Sequence, residues 1–300
     1  SSSYREIGRV RVILVITLIA AGSNAFLNWV FIYGHLGMPR LEVEGAAYAT
    51  IIAKTVEMLL LIGYTIKERP EFISFSVFKR IDWALFGRIL KKGSLLIISQ
   101  MMWVLSESFT AAIYNGRGNA AVVSGMAASF SIANLFFISF DGITTATGVL
   151  IGKSLGRNEL DDARKEKTWM LSAAIIFGCI MCLVGVVTVL LVPVVFGNLS
   201  IDAQNICRAM LLLMALFMPL WIYVNTQLAV CRAGGDTKVG FLVDGVTTAV
   251  MIPMLLILAF FTNASPVMMY FGVKALDVGK IIVATHEMKK ERWVVNLSNG

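Results

Sequence analysis

Long apolar stretches alternate with short polar ones along the whole chain. Eight stretches stay mostly apolar over about 20 residues, the length that a helix needs to cross a bilayer. They cover approximately residues 11–34, 45–66, 93–115, 120–152, 169–196, 204–231, 239–261 and 265–285. The eighth carries three charged residues, Lys274, Asp277 and Lys280. Because an open strand would leave backbone groups unpaired in hydrocarbon, the pattern predicts an all-α protein that crosses the membrane many times.

The composition indicates that lipid is the solvent for much of the surface. Hydrophobic residues make up 57% of the chain and charged residues 15%, whereas soluble domains carry about 25% charged residues. No nucleophile-elbow, Walker or zincin motif occurs, so nothing predicts an enzyme. Cys179 and Cys182 form a C-x-x-C pair inside an apolar run. We expect two buried thiols there, rather than a redox pair or a metal site.

Positive charge is distributed unevenly between the two sides of the predicted membrane. Most of the 26 lysines and arginines fall at the chain ends and in every second loop, while Arg40, Arg117 and Arg208 fall on the other side. The positive-inside rule then places both ends of this chain in the cytoplasm, with the protein in the plasma or inner membrane. The net charge of +7 therefore marks topology, and we expect no nucleic-acid partner.

The stretch CRAGGDT, residues 231–237, separates two apolar spans. Gly234 and Gly235 can both take positive φ and end one helix, and Asp236 or Thr237 can cap the next. We expect Arg232 to neutralise helix-end carbonyls or to pair with Asp236. A phosphate-binding loop would need a Gly-Lys-Ser/Thr ending after a strand, and neither is present.

Four stretches of the sequence resemble segments of one protein family. LNWVFIYGHLGMPRLEVEGAAYAT, residues 27–50, resembles the family's fifth helix, an outer loop and the start of the sixth helix. VLIGKSLGRNELDDARKEK, residues 149–167, resembles the loop after the eighth helix. CRAGGDT with the later Pro253 is similar to the turn between helices ten and eleven and the following span. ERWVVNLS, residues 291–298, is similar to the tail of one bacterial branch. The family that all four stretches resemble is the multidrug and toxic compound extrusion (MATE) family of transporters.

The resemblance covers essentially the whole chain and implies an organisation for it. Family members have twelve helices in two six-helix lobes, and the eight spans look like helices five to twelve. Residues 1–66 would then be the last two helices of the N-terminal lobe, 67–92 a cytoplasmic inter-lobe linker, 93–285 the C-terminal lobe and 286–300 a cytoplasmic tail. We expect four more helices upstream, and we expect transport from the intact parent and not from this piece alone.

The resemblance also implies a function. Related proteins are secondary antiporters that export cationic amphipathic drugs and toxic compounds in exchange for H+ or Na+, with no other cofactor. We therefore expect the lipid bilayer and small organic cations as partners, and a monomer. One alternative is a lipid-linked oligosaccharide or polysaccharide flippase of the same superfamily, although the basic residues lie mostly at the cytoplasmic edge and not in a cavity. A non-transporting remnant is the other alternative.

Polar side chains within the C-terminal spans are the first candidates for a cation site, because charge in a bilayer is costly. Glu107 either binds a proton, Na+ or a cationic drug, or is a hydrogen-bonded acid at the lobe surface. Gln100 stands where members of the family often carry a glutamate. Asp141 is either a cavity carboxylate or an acid that caps a broken helix. Asn225 lies in a stretch where some members carry an acid.

The first two spans carry a second set of polar candidates. Asn24 and Asn28 are spaced i, i+4 and share one helix face. The resemblance implies a cation site here, while the alternative is hydrogen bonding between helices; Thr50 is a companion. Lys54 and Glu57 are predicted to form a local ion pair, the alternative being an internal cation that competes with the coupling ion.

Two further readings concern the last span and the aromatic residues. Asp277 is expected to pair with Lys274 or Lys280. We expect four aromatic residues to hold a cationic substrate in a cavity between the lobes through cation–π and stacking contacts. They are Trp103, Phe109, Phe136 and Trp221. The alternative for all four is simple packing.

Overall fold

The structure, a computed structural model, describes residue 4 and residues 9–68 and 83–295. These residues form nine α-helices and no strand, which confirms the all-α prediction. The helices are α1 (Val10–Tyr33), α2 (Glu42–Glu68), α3 (Trp83–Arg117), α4 (Ala120–Gly156), α5 (Leu160–Val195), α6 (Ile201–Ala233), α7 (Lys238–Phe261), α8 (Pro266–Ala275) and α9 (Asp277–Lys289).

The chain divides into two compact units, Ser1–Asp82 and Trp83–Gly300. In the first unit, α1 and α2 pack along each other. Tyr4 donates a hydrogen bond from its hydroxyl to Thr65 Oγ1, 3.0 Å away, and Arg9 pairs with Glu68. Most of the predicted inter-lobe linker, residues 69–82, lies outside the described residues, as do residues 296–300 of the predicted tail.

Helix α6 is the centre of the second unit. It packs against α4 and α5 along their lengths and also contacts α8 and α9. Met210, Met214 and Ile222 of α6 are fully buried in these contacts. Local sequence sets the helix starts: Ser200 accepts a hydrogen bond from the backbone N–H of Ala203 at the start of α6, as expected of an N-cap serine.

Seven of the described helices are long and apolar enough to cross a membrane. The predicted eighth span is instead two shorter helices, α8 and α9, which meet at Leu276. On α5, Leu183, Leu190 and Val194 are each more than 60% exposed, which fits a lipid-facing surface. The C-x-x-C prediction was wrong about burial, because Cys179 is exposed on α5 and Cys182 is half-buried, although both are free thiols.

The second unit has two ends with different composition. At one end, Arg164 pairs with Glu291 at 3.0 Å, and Lys167 lies 5.8 Å from the ring centre of Trp293. At the other end, Arg117 donates hydrogen bonds to the backbone carbonyl of Thr262, at 3.2 Å. The start of α5 and the turn that follows α6 both lie against the chain's last described residues, because Arg164 pairs with Glu291 and Gly234 lies against the backbone carbonyl of Trp293.

The turn between α6 and α7 needs its two glycines for different reasons. Gly235 has φ of +76°, as predicted, and the N–H of Asp236 donates to the carbonyl of Cys231 at 2.9 Å, which is a Schellman ending. Gly234 has φ of −86°, so the positive φ predicted for it was wrong. Only glycine fits at position 234, because a Cβ there would overlap the backbone carbonyl of Trp293.

The predicted capping of α7 is confirmed in position but not in the capping bond. Thr237 is the N-cap residue but makes no side-chain capping bond. Arg232 and Asp236 form no ion pair in the described part of the chain. The Schellman bonds already satisfy the end of α6, and the side chain of Arg232 reaches a cavity.

Candidate functional site

A cavity of about 580 Å³ lies within the second unit. Helix α3 contributes Gln100, Trp103 and Glu107 to its wall. The three residues are spaced i, i+3 and i+7, so they share one helix face. Helix α4 contributes Asp141 and Thr144 from a face with the same periodicity. The spacing of polar residues in otherwise apolar helices thus turns these side chains towards one cavity.

The remaining walls come from α6, α7, α8 and α9. Helix α6 provides Trp221 and Asn225, and α8 provides Tyr270 and Lys274. One helical turn separates the members of each of these pairs, so they too share a face. Helix α9 adds Asp277, and all of these side chains come from one compact unit.

An ion pair across the cavity joins α3 to α8. Lys274 Nζ lies 2.6 Å from Glu107 Oε1 and donates a hydrogen bond to it. The side chain of Lys274 is 11% exposed and that of Glu107 is 31% exposed. The residues are 167 positions apart in sequence, so only the tertiary fold brings these charges together.

Two aromatic rings and a second ion pair surround the Lys274 ammonium. Its nitrogen lies 5.6 Å from the ring centre of Trp221 and 5.5 Å from that of Tyr270, within the range of cation–π attraction. Trp221 Nε1 donates to Asp277 Oδ2 at 2.8 Å. Asp277 Oδ1 in turn pairs with Lys280 at 3.0 Å. The prediction that Asp277 pairs with Lys274 or Lys280 is confirmed for Lys280.

The cavity holds an excess of acidic side chains. Its carboxylates are Glu107, Asp141, Asp244 and Asp277, and its cations are Arg232, Lys274 and Lys280. Asp244 accepts a hydrogen bond from Ser99. The carboxylate of Asp141 makes no hydrogen bond or ion pair among the described residues. Asp141 is therefore the acid in this cavity that is free to meet an incoming cation.

The structure also changes the reading of Asp141. Helix α4 runs unbroken from Ala120 to Gly156, so Asp141 lies in the interior of a helix. The alternative that it caps a broken helix is wrong. Cavity-lining is the reading that agrees with its position.

Six predicted candidates line the cavity, and two predicted aromatics do not. Gln100, Trp103, Glu107, Asp141, Trp221 and Asn225 are lining residues. Phe109 is two residues beyond Glu107, on another face of α3, and is 39% exposed. Phe136 is buried in a core cluster with Val192 and Leu211. These two phenylalanines do not line this cavity, whose α4 face carries the next residue, Phe137.

The polar candidates of the first unit make local contacts. Asn28 Nδ2 donates to Asn24 Oδ1 at 3.0 Å, so the two amides do share a helix face. The side-chain oxygen of Asn28, Oδ1, is buried without a hydrogen-bond partner in the described residues. Thr50 Oγ1 donates to the backbone carbonyl of Ala46 at 2.8 Å. The predicted pair of Lys54 with Glu57 is confirmed at 2.8 Å.

Sequence reasoning underrated the charges of the last span. Local spacing predicts only a pairing of Asp277 with Lys274 or Lys280, and it gives no reason to place Asp244 in the same cavity. A signal was present, since buried charge is costly and three charges interrupt one apolar stretch. The sequence could not show that Lys274 would meet Glu107 on a distant helix.

Comparisons with known proteins agree with this architecture. The MatE family model matches residues 96–263. A probable multidrug resistance protein NorM from Mesorhizobium japonicum is 26% identical over 96% of this chain and 63% of its own length. The corresponding protein from Neisseria meningitidis serogroup B is 28% identical over 71% of this chain and 47% of its own. The chain thus spans less than two thirds of the curated relatives it matches.

Solved structures show the same fold. A variant of the Vibrio cholerae MATE transporter VcmN matches with a TM-score of 0.78 at 18% identity, over 97% of this chain and 65% of its own. A MOP superfamily transporter from Pyrococcus furiosus matches with a TM-score of 0.73 at 18% identity, over 90% of this chain and 59% of its own. The resemblance found in the sequence motifs is confirmed: this multi-pass membrane protein belongs to the MatE family, the family of multidrug and toxic compound extrusion transporters.

Proposed function

We propose that this chain carries the C-terminal substrate cavity of a secondary antiporter. The antiporter exports cationic amphipathic compounds across the plasma membrane in exchange for H+ or Na+. The observation that carries the proposal is the unpaired carboxylate of Asp141 in a cavity that aromatic side chains also line. The similar proteins from Mesorhizobium japonicum and Neisseria meningitidis, both probable multidrug resistance proteins, support the same substrate class.

The charges of the cavity favour a monovalent cation. Its four carboxylates and three basic side chains leave one negative charge to be balanced. Glu107 and Asp277 already have lysine partners, and Asp244 accepts a hydrogen bond from Ser99. Asp141 has neither kind of partner among the described residues, so it is the group whose charge we propose that a ligand neutralises. Asp141 is exposed, so an incoming organic cation can reach its carboxylate and balance its charge.

Aromatic groups give the cavity its preference for amphipathic ligands. Trp103, Phe137 and Trp221 line it, and their ring faces attract cations and pack against apolar surface. The cavity volume of about 580 Å³ falls in the range of small-molecule sites. A flat or compact organic cation of drug size is thus the best match.

The transport cycle that we propose follows from the family organisation. Residues 93–285 act as one lobe and the helices of residues 1–66 belong to the other, joined by the linker at 67–92. Alternating access arises as the two lobes rock around the substrate. Protonation or Na+ binding at an acid of the cavity then competes with the substrate, and Glu107 and Asp141 are our candidates for that acid. Asn24, Asn28 and Thr50 are the candidates in the first unit.

The alternative of a flippase for lipid-linked sugars finds less support. Such a site needs free cationic groups for a pyrophosphate. In this cavity, Lys274 and Lys280 are both engaged by acids, which leaves Arg232 as the one basic lining residue without an ion pair among the described residues, and acids outnumber bases. A cationic substrate, by contrast, can enter without any rearrangement of these charged side chains.

Binding of ethidium, a flat monovalent cation, tests the proposal without requiring a transport cycle. We expect the purified chain in detergent micelles to bind it, measured by fluorescence anisotropy. Asp141→Asn should weaken binding about tenfold or more, which corresponds to about 1.4 kcal/mol. The matched control is Asp202→Asn, because Asp202 is an exposed acid in the first turn of α6, outside the cavity. Equal affinities for the two variants would contradict the proposal.

A further inference from the structure

The ammonium group of Lys274 lies where an organic cation would be expected to lie. It contacts the carboxylate of Glu107 at 2.6 Å and lies 5.6 Å and 5.5 Å from the ring centres of Trp221 and Tyr270. One carboxylate with two aromatic rings is the chemistry by which proteins recognise ammonium ligands. The chain therefore supplies a cation of its own to a site that is built for one.

The neighbouring charges leave Lys274 as the partner of Glu107. Lys280 pairs with Asp277, 3.0 Å away, and Asp277 also accepts the indole hydrogen bond of Trp221. Asp277 is therefore occupied by two donors. Among the described residues, Glu107 makes its ion pair with Lys274 alone.

The ion pair of Lys274 with Glu107 is costly to separate, because Lys274 is buried. Lys274 as a residue is 9% exposed, so its charge has little contact with solvent. If the lysine withdraws, the Glu107 carboxylate remains in the cavity without a counter-ion, which is strongly unfavourable. Another cation, or a proton, is then needed at the same place.

We propose that Lys274 is a tethered competitor for a second cation site, formed by Glu107, Trp221 and Tyr270. A monovalent organic cation takes this site only when the Lys274 ammonium moves away. Lys274 is thus a specificity-determining residue of the cavity, since it keeps cations from Glu107 and directs them to Asp141. This inference rests on the proposed function for the identity of the ligand, but not for the pairing itself.

Labelling of Glu107 by dicyclohexylcarbodiimide tests the pairing without any substrate. This apolar reagent reacts with protonated carboxyl groups, and a half-buried carboxyl group that loses its counter-ion takes up a proton more readily. Mass spectrometry of the peptide that contains Glu107 gives the labelling rate. We expect slow labelling in the wild type and a rate about tenfold higher or more in Lys274→Met. The charged and titratable groups around this site, all retained in that variant, are Tyr114, Asp141, Arg232, Asp244, Tyr270, Asp277 and Lys280.

Two further variants serve as controls for the labelling. Lys280→Met removes a lysine of the same cavity that does not contact Glu107, and it should leave the labelling of Glu107 at the wild-type rate. Lys274→Arg keeps a positive charge and should also label slowly. Equal acceleration in Lys274→Met and Lys280→Met would show a general effect of cavity charge and overturn the inference.

Ethidium affinity provides the second readout. Lys274→Met should bind ethidium about tenfold more tightly than the wild type, because Glu107 becomes available to the ligand. The gain should disappear when Glu107→Gln is added, since the acid that Lys274 guards is then gone. A gain that persists in the double variant would overturn the inference. Lys274→Gln, which keeps a hydrogen-bond donor but no charge, replaces Lys274→Met if the latter does not fold.

The two readouts separate this inference from the proposed function. Fast labelling in Lys274→Met, together with no ethidium binding by any variant, would support the pairing and contradict export of such cations. The opposite outcome is ethidium binding that depends on Asp141, while substitution of Lys274 changes neither the labelling of Glu107 nor the ethidium affinity. It would support the proposed function and overturn the inference.

Discussion

Trp221 contacts both ion pairs of the cavity, one through its indole N–H and the other through the face of its ring. Its indole N–H donates to Asp277 Oδ2 at 2.8 Å, while its ring lies 5.6 Å from the ammonium of Lys274. The same side chain therefore connects α6 to both α8 and α9. A single substitution at Trp221 should therefore change the surroundings of both the Asp277 carboxylate and the Lys274 ammonium.

Trp221→Phe removes the hydrogen bond to Asp277 and should lower the free energy of unfolding by about 1 kcal/mol. Hydrogen bonds within membrane proteins contribute about that much or less. The apparent melting temperature of the purified chain in detergent should fall accordingly. The control is Trp103→Phe, which changes another cavity tryptophan, 49% exposed, that makes no side-chain hydrogen bond among the described residues. Equal melting temperatures for the two variants would contradict a structural role of the Trp221–Asp277 bond.

Gly234→Ala should release the last described residues of the chain. A Cβ at 234 overlaps the carbonyl of Trp293, whose side chain is 1% exposed in the wild type. Moving Trp293 would remove up to about 3 kcal/mol of burial from the docking of this segment. Limited trypsin digestion should then cleave after Lys290 or Arg292 much faster than in the wild type.

The control for this digestion is Gly152→Ala. A Cβ at Gly152, inside α4, meets no heavy atom within 4 Å, and alanine is the better helix former. Its digestion rate should match the wild type. Slow cleavage in Gly234→Ala would mean that Trp293 does not depend on the glycine.

The docking of the same segment should depend on pH through Glu287. This residue lies beyond the predicted spans, and the hydrogen bond from Lys290 is the main reason that its pKa is lowered below the ordinary value of 4.5. A carboxyl whose pKa is lower in the folded state stabilises that state above its unfolded pKa. The contribution is lost as the pH falls through the folded-state pKa.

Glu287→Gln should therefore reduce the melting temperature at pH 7, and the difference from the wild type should shrink as the pH falls below 4.5. Lys290→Met removes the donor and should give the same pH dependence. A difference between wild type and Glu287→Gln that stays constant from neutral to acidic pH would contradict the prediction.

The proposed orientation in the membrane predicts a pattern of chemical labelling. With the four native cysteines replaced by alanine, single cysteines at Asn158 and Lys238 should react from the same side. Cysteines at Asn198 and Asn263 should react from the opposite side. All four positions are exposed turn or helix-end residues of the second unit.

A membrane-impermeant maleimide applied to intact cells should reach the cysteines at 198 and 263 and not those at 158 and 238, because the basic end is expected in the cytoplasm. Permeabilisation should expose the other pair and serves as the control. Labelling of 158 and 238 on opposite sides would contradict the alternating crossings themselves.

The sequence by itself determined that this is a helical membrane protein of one family. Apolar runs of membrane-crossing length, with basic residues concentrated in alternate loops, leave few other folds. Local spacing also identified the pairs that lie within one helix. Asn24 with Asn28 and Lys54 with Glu57 are separated by one turn, so their contact follows from helix geometry.

Only the tertiary structure decided which distant groups meet. Glu107 and Lys274 contact each other across 167 residues, Phe137 rather than Phe136 faces the cavity, and Trp293 imposes a glycine at 234. Helical periodicity gives the face on which a residue lies but not the partner of that face. That choice depends on how the helices pack, because charge in a low-dielectric interior is stable only beside its counter-charge.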